Sequence, residues 1–123
     1  MNPIDVGPAV AGLAHHVHSL NKKWWIDVET REPLKRNVGE LLCLVHSEIS
    51  EAMEGARKGL KDDHLPERRM FDVELADAMI RILDLAGALC PDFGEIFAEK
   101  MEYNRHRADH THEARRQEGG KKW

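Results

Sequence analysis

The chain of 123 residues has few of the residues that interrupt or cross-link a small fold. It contains 5 prolines and 9 glycines among 41% hydrophobic and 33% charged residues, which is typical of an ordered helical domain. No run alternates apolar and polar residues over a useful length, so strands are not predicted. No apolar run approaches the roughly 18 residues of a membrane span, and no secretory signal pattern opens the chain. We therefore expect one all-α domain in the cytoplasm.

Cysteine and net charge are also scarce. The two cysteines, Cys43 and Cys90, lie in apolar stretches, and we expect buried free thiols in a reducing compartment. The net charge of −4 does not indicate a nucleic-acid or membrane-surface binder. Residues 104–123 hold six Lys/Arg and three Asp/Glu, net +3, which leaves −7 for the rest. An acidic body with a basic tail suits an enzyme that holds metal ions and a polyanion.

The apolar spacing predicts four helices, at about residues 8–27, 37–58, 67–89 and 92–108. Pro8 suits a first helical turn, Asn37 an N-cap, and Gly59 a helix stop, while Pro91 follows the third helix. Residues 109–123 are polar and contain a Gly-Gly pair, so we predict a basic, flexible tail after a domain of residues 1–108. The predicted fold is an antiparallel four-helix bundle.

The third helix has charges on an otherwise apolar surface. From residue 71 to 89, thirteen of nineteen residues are apolar, which predicts a buried helix. Glu74, Asp77, Arg81 and Asp84 fall within a sector of about 80° at 100° per residue. Unpaired buried charge is very costly, so these side chains need partners. Arg81, four residues after Asp77, can neutralise that acid alone.

The second helix offers a matching pair, Glu48 and Glu51, and Glu48 borders the apolar strip of its helix. Facing Glu74 and Asp77, these acids would form a four-carboxylate cluster, whose repulsion a hard divalent ion such as Mg²⁺ or Mn²⁺ relieves. The alternatives are a solvated acidic face, or a di-iron site, which prefers Glu-x-x-His pairs that the sequence lacks.

The fourth helix adds Lys100, Asn104 and Arg107 on the side of its apolar residues. Such side chains can hold phosphate oxygens. The alternative is that Lys100 extends from the core edge and the cations complement the helix dipole. His110 and His112 in the tail resemble a metal-binding pair, but we expect no site there.

Three segments together resemble the MazG-like nucleotide pyrophosphohydrolases of the all-α NTP pyrophosphatase superfamily. They are HSEISEA at residues 46–52, ELAD at 74–77 and KMEYNRHR at 100–107. The resemblance is closest to short, single-domain phage and bacterial members, and it extends from KKWW at 22–25 to GGKK at 119–122. Ser47 departs from it, because the family's commonest motif has a further Glu there, which leaves the number of metal ions open.

The resemblance implies a Mg²⁺-dependent hydrolase, with Mn²⁺ able to substitute, that cleaves a (deoxy)nucleoside triphosphate to the monophosphate and pyrophosphate in nucleotide-pool control. Glu48, Glu51, Glu74 and Asp77 would bind metal, and Glu51, with Glu48, would serve catalysis. Lys100, Asn104, Arg107 and Lys121, beside Lys122, would bind phosphates. A homodimer or homotetramer would complete each bundle, with no nucleic-acid or membrane partner.

The base-binding residues are predicted from side-chain chemistry. Trp24 and Trp25 can provide one stacking surface and one core anchor, since aromatic faces stack on any base. Asn21, Asn37 or His46 can contact base edges. A narrow dUTPase-like or dCTPase-like enzyme stays open, as does a non-catalytic helical oligomerisation module from a different functional class.

Overall fold

The computed structural model describes residues 4–107, 109 and 111–123, and these residues form helices and no β-strand. The all-α prediction is therefore confirmed. The described helices are α1 Val6–Asn21, α2 Val38–Lys58, α3 Met70–Leu89, α4 Phe93–Arg105 and α5 His112–Arg116, and a 3-10 turn, Lys22–Trp25, follows α1.

Helix α2 has the boundaries that its capping residues predict. The Asn37 side chain accepts a hydrogen bond from the Glu40 backbone N–H, which satisfies one of the free donors of the first turn. Gly59 ends the helix at φ 64°, a left-handed conformation that glycine adopts without steric cost. Because Asn37 is the N-cap, its side-chain oxygen is already used by the fold.

The other boundaries differ from the predictions. Helix α1 begins two residues early and ends at Asn21, because the Lys22–Trp25 segment turns as a 3-10 helix. Helix α3 begins only at Met70, because residues 67–69 belong to the connection from α2. There the Met70 N–H donates to the Leu60 carbonyl. Helix α4 ends at Arg105, and its predicted end at Ala108 lies outside the described residues.

The chain divides into two compact units. The central unit is Leu13–Pro91, and the terminal unit consists of Met1–Gly12 and Asp92–Trp123. These boundaries differ from the predicted boundary between a domain of residues 1–108 and a tail of residues 109–123. The flexibility of the tail stays a prediction. The described part of residues 109–123 includes α5, which the Thr111 hydroxyl caps by accepting from the Ala114 N–H.

In the central unit, α2 and α3 pack as an antiparallel pair. A short hairpin connects them, in which Asp62, itself buried, accepts hydrogen bonds from the backbone N–H groups of His64 and Leu65. Small residues, Ala52 and Ala78, are buried on these helices, and this brings polar side chains on the same faces into contact. The four-helix bundle itself stays a prediction.

Helix α1 meets α3 where α3 has a glycine. A Cβ atom at Gly87 would lie 2.6 Å from the Ala14 carbonyl oxygen and 2.7 Å from the His18 Cβ. These separations are shorter than van der Waals contact, so only glycine permits this approach of the two backbones. The buried alanines Ala14 and Ala86 extend the same close packing.

Two predictions of burial are wrong for the single chain. Helix α3 buries only Glu74, Ala78, Leu83 and Ala86, while several of its large apolar residues stay exposed because α1 and α2 cover only part of its circumference. Cys43 and Cys90 are free but exposed. No helix in the described part of the chain is long and apolar enough to cross a membrane.

Candidate metal centre

Three carboxylates meet where α2 faces α3. Glu48 of α2 and Glu74 and Asp77 of α3 place one oxygen each within 4.8 Å of one another. Glu48 is 9% exposed and Glu74 is 8% exposed, although glutamate is rarely buried without a partner. The i, i+3 spacing puts Glu74 and Asp77 on one face of α3, and Glu48 projects from the buried strip of α2. Three of the four predicted metal ligands are thus brought together.

The acids alter one another's ionisation. A hydrogen bond to Glu48, burial and the nearby carboxylate of Glu51 raise the pKa of Glu74 to about 8. Burial also opposes ionisation of Glu48, but its hydrogen bond with Glu74 and the Arg81 guanidinium lower its pKa. Burial and the charge of Glu48 raise the pKa of Asp77. The raised pKa of Glu74 and the lowered pKa of Glu48 favour a proton on Glu74 rather than on Glu48.

One oxygen of this cluster has no donor. Glu74 Oε2 is buried and has no hydrogen-bond partner among the described residues. A buried acceptor without a donor loses the water contacts that it had in the unfolded chain, and this costs about 1–3 kcal/mol. A hard cation is the ligand that suits an all-carboxylate set with an unpaired oxygen. The residues present therefore fit a divalent ion such as Mg²⁺ or Mn²⁺.

Arg81 pairs with a different acid from the one that its spacing suggested. Its Nε donates to Glu48 Oε1 at 2.9 Å, across the α2–α3 contact. The alternative in which Arg81 neutralises Asp77 alone does not describe its main contact, which is with Glu48, although the charge of Arg81 also acts to lower the pKa of Asp77. Packing of α2 against α3 brings Glu48 within reach, which spacing along one helix cannot show.

A cavity of about 480 Å³ opens beside the carboxylates. Glu48, Asp77 and Arg81 contribute to its lining, and so do Asn21, Trp24 and Arg36. Trp24 is 60% exposed. The cavity thus combines acidic groups, two guanidinium groups and one accessible indole ring, and its remaining lining comes from Asp84 and from apolar residues of α2 and α3, Leu41, Leu44 and Ile80.

Trp25 is held by α3. Its Nε1 donates to both oxygens of Asp84, at 3.2 and 3.1 Å, and the ring of His18 packs edge-on against it. His18 Nδ1 lies 2.8 Å from the same Asp84 carboxylate. Arg36 covers the Trp25 ring at 5.6 Å. Trp25 therefore has the contacts of an anchor, whereas Trp24 lines the cavity, is largely exposed and has only Lys23 Nζ near its ring, at 5.7 Å, among its described ring contacts.

Asp84 has a structural role that the sequence did not reveal, because its partners could not be predicted. Its position in the charged sector of α3 indicated that it needed a partner. The partners are the indole N–H of Trp25 and the imidazole of His18, and both belong to the α1 end of the unit, so spacing along α3 does not reveal them.

The other predicted residues of α1 and α2 differ in their relation to the cluster and the cavity. Glu51 is exposed and close enough to Glu74 to raise its pKa, but it is not part of the set of three. Ser47 donates its hydroxyl to the Leu44 carbonyl, one turn back along the helix. Asn21 donates to the Val17 carbonyl through its Nδ2 and lines the cavity. His46, which is exposed, is not among the residues that line the cavity.

The predicted phosphate-binding residues lie in the terminal unit, and three of them contact other side chains of that unit. Lys100 Nζ lies over the Tyr103 ring at 4.7 Å. Arg107 binds Asp109 through two hydrogen bonds, and Lys121 Nζ lies 3.8 Å from the same carboxylate. Asn104 Oδ1 is buried without a hydrogen-bond partner among the described residues. Their phosphate-binding role stays a prediction, and His110 lies outside the described residues.

The chain matches no protein-family model, no curated protein and no solved structure. Its function must therefore be inferred from the arrangement of its own side chains.

Proposed function

We propose that the protein is a divalent-metal-dependent nucleoside triphosphate pyrophosphohydrolase of MazG-like type. The observation that supports this most strongly is the buried set of Glu48, Glu74 and Asp77, with the donorless oxygen of Glu74, beside a cavity that also holds guanidinium groups and an exposed indole ring. A polyphosphate with an attached base has features that suit each of these parts.

Glu48, Glu74 and Asp77 are the proposed ligands for Mg²⁺, with Mn²⁺ as a substitute. When bound, such an ion would neutralise charge on phosphate oxygens and lower the pKa of a bound water far below that of bulk water. Glu51, exposed beside Glu74, is the proposed group that orients the attacking water by accepting its proton.

Trp24 is the proposed base-stacking residue, because it is accessible in the cavity while Trp25 is held by Asp84. Stacking on an aromatic ring contributes about 1–3 kcal/mol per base and tolerates many bases. Asn21 Oδ1 can accept a hydrogen bond from a base edge, because its Nδ2 is the atom that donates to Val17. These contacts are compatible with a broad base preference and also with a narrow one.

The test is a panel of about sixteen standard and modified nucleoside triphosphates, incubated with the protein and Mg²⁺ while pyrophosphate is followed. We expect pyrophosphate from at least one substrate and none from Asp77→Asn. Asp72→Asn is a matched control, since Asp72 lies on the same helix but pairs with Arg69 on the exposed surface. If no substrate yields pyrophosphate, the enzyme hypothesis fails and a non-catalytic helical module takes its place.

We also propose that two copies associate through the α2–α3 pair. Leu42, Ile49 and Met53 share one face of α2, and Leu75 and Met79 share one face of α3. Helical geometry places both faces on the same side of an antiparallel pair, about 100° from the α2–α3 contact. Met53 is 58% and Met79 53% exposed, and contiguous apolar surface of this kind is typical of an interface. A homodimer, or a tetramer built from it, would cover this side.

A further inference from the structure

Arg81 is bound at one edge only. Its Nε donates to Glu48 Oε1, while its two terminal nitrogens have no hydrogen-bond partner in the part of the chain that the structure describes. The side chain is 42% exposed and lines the same cavity as Glu48 and Asp77. One edge of the guanidinium therefore contacts the acids, and the other remains available to a ligand in the cavity.

We propose that Arg81 exchanges partners during ligand binding: it neutralises Glu48 before a divalent cation binds, and it contacts a phosphate group once the cation is bound. This rests on the proposed function, since it assumes that the cluster binds a cation and the cavity a phosphorylated ligand. Arg81 would then be a catalytic residue of the same site.

The arrangement of charges favours such an exchange. Glu48 cannot be fully available to a divalent cation while its Oε1 accepts from Arg81, so the guanidinium and the cation compete for it. A guanidinium displaced within the cavity is a planar donor that matches two phosphate oxygens at once. A phosphate group that accepts these hydrogen bonds replaces the ion pair with Glu48 that Arg81 loses.

A contrasting arginine shows what a purely surface pair looks like. Arg57, whose side chain is 66% exposed, donates to Glu54, three residues earlier on α2, and neither residue lines the cavity. Such a pair contributes little to stability and has no ligand to exchange with. Arg81 differs in having a nearly buried partner and an open edge toward a cavity.

The exchange predicts positive coupling between cation and phosphate. Without phosphate, the cation binds against competition from Arg81; with phosphate, Arg81 has a second partner and the competition falls. By linkage, each ligand then raises the affinity for the other by the same factor. A residue that only supports the fold would produce no such coupling.

The experiment measures Mn²⁺ affinity by calorimetry, with and without methylenediphosphonate, a stable pyrophosphate analogue. The Mn²⁺–diphosphonate equilibrium, measured in the same buffer, is the reference. Without the analogue, we expect Arg81→Gln to bind Mn²⁺ about tenfold more tightly than the wild type, since a hydrogen bond between charged groups no longer competes. The coupling between Mn²⁺ and the analogue should fall by about tenfold for the same reason.

Arg81→Lys and Arg57→Gln complete the design. Arg57→Gln should match the wild type in both measurements. Arg81→Lys keeps the charge and the fold if Arg81→Gln is unstable, and it should retain the competition but lose part of the coupling, because an ammonium lacks the planar fork. Unchanged Mn²⁺ affinity and unchanged coupling in the Arg81 variants would overturn the proposal.

The outcomes also separate this proposal from the proposed function. Arg81-dependent coupling in a protein that releases no pyrophosphate from any nucleotide supports the exchange and contradicts the enzymatic activity. A wild type that binds no Mn²⁺ contradicts both. Pyrophosphate release with no effect of Arg81 on coupling keeps the function and removes Arg81 from it.

Discussion

Glu74 is the residue whose surroundings are hardest to explain by stability alone. Its carboxyl group is buried beside those of Glu48 and Asp77, and one of its oxygens has no donor among the described residues. A side chain of this kind destabilises the metal-free protein, because its ionised form is close to other negative charges. Such a cost persists at sites where function requires it.

The ionisation of Glu74 gives a pH dependence of stability. Its pKa is about 8 in the folded protein and 4.5 ordinarily, so between these values the folded state keeps a proton that the unfolded chain releases. Stability therefore falls as pH rises through this range. We expect the melting temperature in EDTA to be lower at about pH 8.5 than at about pH 6. The decrease should be smaller in Glu74→Gln, and an equal decrease in both proteins contradicts the assignment.

Asp84 supports the wall of the cavity. Asp84→Ala removes the acceptor of the Trp25 indole and the partner of His18, and we expect a loss of about 1–3 kcal/mol in the free energy of unfolding. Asp72→Ala is the control, because the exposed pair of Asp72 with Arg69 contributes only about 0–1 kcal/mol. Denaturant titrations of both variants measure the difference. Equal losses would mean that Asp84 is no more than a surface acid.

Sequence reasoning identified the acids of the cluster but not the partners of the neighbouring charges. Glu48, Glu74 and Asp77 have spacings within a helix that show in the sequence. The partners of Arg81 and Asp84 lie on other helices, and such pairs depend on how the helices pack. That information is absent from the periodicity of any one helix.

At the scale of helices, a helix boundary was predictable where a residue ends the helix through contacts with its own sequence neighbours. Asn37 and Gly59 fix the ends of α2 through contacts within a few residues. The start of α3 was predicted three residues too early, because the hairpin from α2 uses the backbone of Arg68 and Met70 for bonds that helical propensity does not anticipate.

The approach of α1 to α3 depends on Gly87. An added methyl group in Gly87→Ala would overlap the Ala14 carbonyl, so we expect a loss of about 1–3 kcal/mol in stability. Gly12→Ala is the control, since a Cβ there meets nothing within 4 Å and alanine favours a helix by about 1 kcal/mol. Thermal melts should therefore shift in opposite directions. A neutral Gly87→Ala would contradict the close packing.

For the whole molecule, the apolar pattern predicted burial that the single chain does not provide. Leu75, Met79 and Ile82 of α3 remain exposed, and so do Leu42 and Ile49 of α2. The sequence shows that these residues avoid water but not which surface covers them. This is why the prediction that α3 is a buried helix is wrong for one chain, and why we propose that a second copy covers it.

Met79→Lys tests this association. A lysine at the centre of the proposed interface would be buried without a partner, so we expect a shift from dimer or tetramer to monomer in light scattering after gel filtration. Val28→Lys is the control, because Val28 is also apolar but is 83% exposed and lies outside these helices. A wild type that is itself monomeric, or a Met79→Lys protein with unchanged mass, contradicts the proposed interface.

The carboxylate cluster, loaded with a divalent ion, is proposed to direct water to the bond between the α- and β-phosphates. A phosphorus NMR time course tests this most directly, with Mg²⁺ and a mixture of nucleoside and deoxynucleoside triphosphates. We expect nucleoside monophosphate and pyrophosphate in equal amounts, and no reaction with Asp77→Asn or in EDTA. Orthophosphate as the only new phosphate product, or full activity of Asp77→Asn, would contradict the proposed chemistry.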